Sequence, residues 1–257
     1  MKKHIRPKIF ITNDDGYNSH GITVLIEELK KIGDVLCIAP ASEQSGMSHA
    51  ITFSKPLKME CMHQEDGFSL YKLNGTPVDC VKMGLDKFYK EQNPDLIVSG
   101  INHGSNATIC AVYSGTVAAA REGAINNIPS IAFSSLDFSS SANYTPWKPY
   151  INTICSQVLQ KGIPSGVFLN VNFPVQTNSK GMRVCKQAEG VWVEEFERRV
   201  DPHKREYFWL TGQFNNFTPN DSNTDEWLLA NNYVSIVPLR VENTDNETIQ
   251  SVSFLNS

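Results

Sequence analysis

Through its first half the chain alternates short apolar runs with helix-length amphipathic segments, and that alternation admits few folds. Lys8–Thr12 reads as a buried strand. A helix follows over residues 21–31, where Ile22, Leu25, Ile26 and Leu29 share one face at helical spacing. Further strands are predicted at 35–39, stopped by Pro40, and at 96–99 and 130–133. Thr76-Pro77-Val78-Asp79 opens another helix, with threonine at the N-cap, proline at the first helical position and a carboxylate near the positive end of the dipole. One more helix is expected over 116–125, and residues 51–59 with Phe68–Leu73 read as a two-stranded excursion. Strands joined by crossover helices predict a mostly parallel sheet covered on both faces, a doubly wound, three-layer α/β core.

The second half changes character. A helix over 147–161 and a strand over 167–172 lead to Pro174, where regularity stops. Residues 1–175 are therefore expected to form the core. Residues 176–257 read as a β-rich extension, not necessarily an independent domain, with its best strands at 182–187 and 233–238. Residues 194–205 are dense in charge of both signs and read either as a solvated loop or as an arm that packs on another subunit.

A chain of 257 residues can bury a full core without disulfides or metals to hold it. Its six cysteines (Cys37, Cys61, Cys80, Cys110, Cys155 and Cys185) are scattered, with neither zinc-site nor disulfide-framework spacing, so reduced thiols in a cytoplasmic protein are expected. The basic N-terminus resembles the start of a signal peptide, but the apolar run behind it at 9–11 is too short. No stretch approaches the roughly 20 apolar residues of a membrane helix. A formal net charge of -4 argues against a nucleic-acid duplex as partner and leaves a small ligand.

Polar residues collect where the predicted strands end. Thr12-Asn13-Asp14-Asp15-Gly16-Tyr17 follows the first strand, and ligands of open parallel sheets bind outside the carboxyl ends of strands. Two adjacent carboxylates repel each other unless a cation lies between them, and oxygen-rich clusters suit magnesium or manganese. The plainer reading is a turn closed by its Asn and Asp side chains. Ala39-Pro40-Ala41-Ser42-Glu43-Gln44-Ser45-Gly46 and Ser99-Gly100-Ile101-Asn102-His103-Gly104-Ser105-Asn106 follow two other strands. Tyr113-Ser114-Gly115-Thr116-Val117 precedes an alanine-rich helix whose N-terminus makes a phosphate seat, with N-capping by Ser114 or Thr116 as the simpler role.

These segments also carry a family resemblance. The chain resembles the SurE (survival protein E) family in Ile11-Thr12-Asn13-Asp14-Asp15-Gly16, in Asn74-Gly75-Thr76-Pro77-Val78-Asp79-Cys80-Val81 and in Pro94-Asp95-Leu96-Ile97-Val98-Ser99-Gly100-Ile101-Asn102. Tyr113-Ser114-Gly115-Thr116-Val117, Pro129-Ser130-Ile131-Ala132 and Asn170-Val171-Asn172-Phe173-Pro174 continue it in order. The resemblance implies a Rossmann-like core and a β extension exchanged within a homodimer or homotetramer. It implies one divalent metal ion per subunit, magnesium or manganese, held by Asp14, Asp15, Ser45 and Asn102. The implied activity is a 5'-nucleotidase releasing phosphate from nucleoside 5'-monophosphates, with 3'-monophosphates and polyphosphate as further substrates. Two departures stand out: Asn106-Ala107-Thr108 and His203-Lys204 occupy places where the family carries a glycine.

The expected chemistry is metal-assisted hydrolysis, with Asp14, Asp15 and Asn102 as catalytic residues. Asn13, Asn106, Ser114, Gly115 and Thr116 are the expected phosphate contacts. His103 is a candidate proton donor or an exposed loop histidine; Tyr17 and Tyr113 either stack on a base or pack. Cys80 reads as a buried thiol, and Trp192 and Trp209 as covers of the extension. Two rivals are weighed. A dinucleotide-dependent oxidoreductase needs G-x-G-x-x-G in the first strand–helix turn, where this chain has Asn-Asp-Asp-Gly. A non-catalytic nucleotide-binding or oligomeric stress protein would not need the four metal-ligand positions, and all four are present.

Overall fold

The structure is a computed structural model describing residues 6–139 and 142–256. The basic residues 1–5, weighed above as the start of a leader, lie outside the described residues. The core runs β1 (Lys8–Thr12), α1 (His20–Leu29), β2 (Asp34–Pro40), β3 (Met59–Glu65), β4 (Phe68–Leu73), α2 (Pro77–Phe88), β5 (Leu96–His103), α3 (Gly115–Ile125), β6 (Ser130–Ser135), α4 (Lys148–Lys161) and β7 (Val167–Phe173). The extension adds β8 (Met182–Val184), β9 (Gly190–Val193), β10 (Phe196–Val200), β11 (Glu206–Leu210), β12 (Gln213–Asn216), α5 (Asp225–Ala230) and β13 (Val234–Arg240).

Among the described residues one nine-stranded sheet has the order β3-β4-β2-β1-β5-β6-β7-β13-β8. Strands β4, β2, β1, β5, β6 and β7 run parallel, each paired with its neighbours. The doubly wound α/β expectation holds, and the layers follow from the two-residue period of the strands. Ile9 and Ile11 point into a core shared with Leu25 of α1 and Ile151 of α4. Phe10 points the other way, to Cys80 and Val81 of α2 and Ala119 of α3. Cys80 is thus a buried thiol, as expected.

Local signals behave as the sequence implies at α2. The Thr76 hydroxyl accepts the Asp79 N–H at 3.1 Å and Asp79 accepts the Thr76 N–H at 2.9 Å, a reciprocal cap with Pro77 in the first turn. The 51–59 strand is misplaced, however. Residues 51–58 are irregular, and β3 begins at Met59 and continues to Glu65. Nor is the pair an excursion: β4 pairs parallel with β2 and β3 pairs antiparallel with β4, so both belong to the main sheet. As an edge strand with one neighbour and mostly exposed side chains, β3 needs no apolar alternation, which is why MECMHQE does not look like a strand.

Beyond residue 175 the chain leaves the sheet and returns to it. β13 pairs antiparallel with β7, and β8 pairs with β13. Between them lie two separate ribbons, β9 with β12 and β10 with β11. Segment 194–205 supplies β10 and the turn into β11, a hairpin in which every strand residue is exposed.

Candidate active site

Strand order places the site. β2 lies on one side of β1 and β5 on the other, so consecutive crossovers diverge and leave a crevice above the carboxyl ends of β1 and β5. Thr12 is paired in register with Ser99, which brings Asp14 and Asp15 beside the end of β5 that carries Asn102. A cleft of about 620 Å³ opens there, reached by Asp14, Ser45, Asn102, Asn106 and Ser114 among others.

Asp14 is 3% exposed. Its carboxylate accepts the Thr116 hydroxyl and, at 3.1 Å, the Thr116 N–H, so it sits on the positive end of α3. The Asp14 carbonyl accepts the Gln44 N–H at 2.8 Å, which ties the Ser45 loop to the same turn. Asp15 accepts the His103 N–H at 3.3 Å. Burial raises the Asp14 pKa, partly offset by the Thr116 bonds. Burial, with the Asp14 charge beside it, pushes Asp15 up to about 6. Glu43 adds a third negative group, and its Oε1 accepts the Ser45 hydroxyl at 2.7 Å.

The remaining expected residues divide. Asn102 faces the cleft with its Nδ2 donating to the Gly104 carbonyl at 2.8 Å. Asn106 is held on three sides: its N–H goes to Asn172 Oδ1 at 2.9 Å, its Nδ2 to Ser134 Oγ at 2.8 Å, and its carbonyl accepts from Asn170 Nδ2 at 2.8 Å. Ser114 lines the cleft and caps α3 through the Val117 N–H at 3.1 Å. Gly115 lies where a Cβ would come 3.1 Å from the Asp14 side chain. Thr116 is fully buried, with its hydroxyl and N–H both directed to Asp14. Asn13 is also fully buried: it donates to the Gly16 carbonyl at 2.9 Å and Ser19 Oγ at 2.8 Å, closing the turn. His103 is exposed but ends strand β5 rather than lying in a loop, and its Nε2 lies 2.8 Å from the Ser139 carbonyl.

Two features escape a reading strand by strand. Asn170 and Asn172, fully buried in β7, shape the Asn106 loop. Their signal is a pair of amides two residues apart in an otherwise apolar strand. The second is the roof: Trp192, Glu195, Leu210 and Thr211 of the extension line the same cleft as Asp14 and Asn102. Asp225, fully buried, fastens that roof by accepting the Thr108 N–H at 2.8 Å and the Ala188 N–H at 2.8 Å.

A doubly wound α/β fold with paired carboxylates at the switch point of its sheet defines an α/β protein with an oxygen-donor site beside a helix N-terminus. Residues 9–194 match the sequence model of the family described as Survival protein SurE. The chain belongs to the SurE family. It is 45% identical to a protein of Flavobacterium psychrophilum named 5'-nucleotidase SurE, over 96% of this chain and 97% of that one. A protein of the same name from Christiangramia forsetii is 46% identical, over 96% of each chain. The crystal structure of the SurE protein from Aquifex aeolicus superposes with a TM-score of 0.85 at 36% identity, covering 98% of this chain and 100% of that one.

Proposed function

We propose that the chain is a metal-dependent phosphatase that hydrolyses nucleoside 5'-monophosphates, and extends to 3'-monophosphates and polyphosphate. The observation that carries this reading is Asp14, buried at the sheet's switch point and facing a ligand-sized cleft beside the α3 N-terminus, with the half-buried carboxylate of Asp15 next to it in the chain. The names of the curated relatives point the same way.

The residues fit a divalent cation. Two adjacent carboxylates with raised pKa values lie in a site that disfavours their negative charge, and a cation relieves both burial and repulsion. Asp14, Asp15, Ser45 and Asn102 offer only oxygen donors for it, the preference of magnesium or manganese. Among the described residues no three His, Cys, Asp or Glu side chains gather into a metal-holding group, so the neutral oxygens of Ser45 and Asn102 have to complete the set. When bound, the ion supplies Lewis-acid polarisation of the phosphoryl group and lowers the pKa of water.

The protein's own part is orientation and charge. Thr116 fixes Asp14 in one rotamer, and Asp14 and Asp15 orient the attacking water. Helix α3 has its Thr116 N–H engaged by Asp14 and its Val117 N–H by Ser114, which leaves the Gly115 N–H at its tip for the phosphoryl oxygens. Asn102 and Asn106 complete the cradle, the latter rigid through Asn170, Asn172 and Ser134.

Assembly is part of the proposal. Among the described residues the β10–β11 hairpin pairs only with itself, and it exposes Phe196, Val200, Phe208, Trp209 and Leu210, an apolar arm suited to a second copy in a homodimer or homotetramer. Six free cysteines suit a reducing cytoplasm. No helix among the described residues is long and apolar enough to cross a membrane. The test is phosphate release from nucleoside 5'- and 3'-monophosphates with magnesium, manganese or EDTA. Release that EDTA stops and added metal restores supports the reading; release indifferent to EDTA removes the metal from it, and no release removes the phosphatase.

A further inference from the structure

We infer that Trp192 is the platform on which the nucleobase stacks, and that it makes the enzyme select purine over pyrimidine nucleotides. This rests on the nucleotidase reading above and adds the part of the substrate that the phosphate site does not touch.

The cleft is mixed in its chemistry. Besides the polar Asp14, Asn102 and Ser114, its walls carry three aromatic rings, Trp192 from the extension and Tyr113 and Phe138 from the core. Hydrolysis of a bare phosphomonoester requires none of those rings. A flat heterocycle attached to the sugar phosphate does, because it must leave water against a surface of its own shape.

Of the three rings, Trp192 is braced. It lies directly across from Phe214 on the neighbouring strand β12, the two rings meeting edge to face with centroids 6.3 Å apart. Gly190 leaves room for that brace, since a Cβ there would come 2.5 Å from the Phe214 ring. Strand β9 also packs against the 108–112 turn, where Cys110 is another cleft residue, which joins the extension to the core beside the site. Tyr113 and Phe138, by contrast, are 56% and 70% exposed. A ring fixed before the ligand arrives loses little freedom on binding, so Trp192 contributes more than its two exposed counterparts. The bicyclic purines cover more of an indole than the pyrimidines do, and base–aromatic stacking is strong enough to rank them.

The experiment compares wild type, Trp192→Ala and Trp192→Phe on AMP, GMP, UMP, CMP and ribose 5-phosphate, with melting temperatures recorded for each. The wild type is expected to prefer AMP and GMP. Trp192→Ala should raise KM for the purine nucleotides about tenfold with kcat little changed, raise it less for UMP and CMP, and leave ribose 5-phosphate within about twofold. Trp192→Phe should recover most of the purine affinity. Unchanged KM values in a Trp192→Ala protein that still hydrolyses nucleotides would overturn the platform and leave the phosphatase reading intact. An equal loss on every substrate in both variants, ribose 5-phosphate included, would also overturn it by making Trp192 structural. A wild type inactive on all five would bring down the phosphatase reading and the platform with it.

Discussion

His49 Nε2 lies 3.0 Å from Glu122 Oε2, joining the loop that carries Ser45 to the helix whose first turn holds Asp14. Lys82 of α2 reaches the other oxygen of Glu122 at 2.7 Å. Burial alone would raise the Glu122 pKa, but the bonds from His49 and Lys82 outweigh it and hold the carboxyl below its ordinary value. A depressed folded pKa gives stability that is present above the unfolded value and lost as pH falls through the folded one. Glu122→Gln is therefore expected to lose about 1–3 kcal/mol at pH 7 and to melt with a shallower acid dependence than wild type. Thermal unfolding from pH 7 to pH 3 checks this, and parallel curves for the two proteins would clear Glu122 of the role.

Asp14→Asn separates chemistry from fold. Asparagine keeps the shape and one oxygen to accept from Thr116, so the melting temperature should move by only a few degrees. Loss of the charge should lower turnover by more than the roughly 10–100-fold typical of residues that merely support a metal ligand. Steady-state kinetics beside a thermal melt decides it, and near-normal turnover would refute the assigned role.

Gly21→Ala tests how closely α1 approaches the site. A Cβ at position 21 would stand 2.1 Å from the Ile101 carbonyl oxygen, the residue before Asn102. Alanine gains up to about 1 kcal/mol in helix propensity, whereas overpacking costs about 1–3 kcal/mol, so the net effect is destabilising. Because the displaced backbone carries Asn102, kcat/KM should fall further than the melting temperature implies.

Asp225→Ala removes the fastening of the roof. It leaves the buried Thr108 and Ala188 N–H groups unpaired, at about 1–3 kcal/mol each. Chemical denaturation should show that loss, and KM should rise more than kcat falls, since the residue braces the cleft and touches no reacting group. A selective fall in kcat would contradict this.

The parallel core was legible because its strands are buried on both faces and so read as continuous apolar runs, while α2 announced itself through Thr76, Pro77 and Asp79. What stayed hidden depends on partners distant in sequence. β3 carries no pattern because it is an edge strand whose side chains are mostly exposed. Thr116 looked like a phosphate donor until the fold set Asp14, 102 positions away, on top of it. Trp192 read as a cover for its own ribbon because nothing local places it in a cleft with Asp14 and Asn102.

The insertion of β13 between β7 and β8 has a consequence for how the protein is made. Until Arg240 has emerged from the ribosome, β7 presents bare amide and carbonyl groups along one side of an otherwise finished core. Nascent chains therefore pass through a stage in which they can adhere to one another, and the arrival of β13 ends it. A message cut short before that strand would yield an aggregate rather than a weaker enzyme.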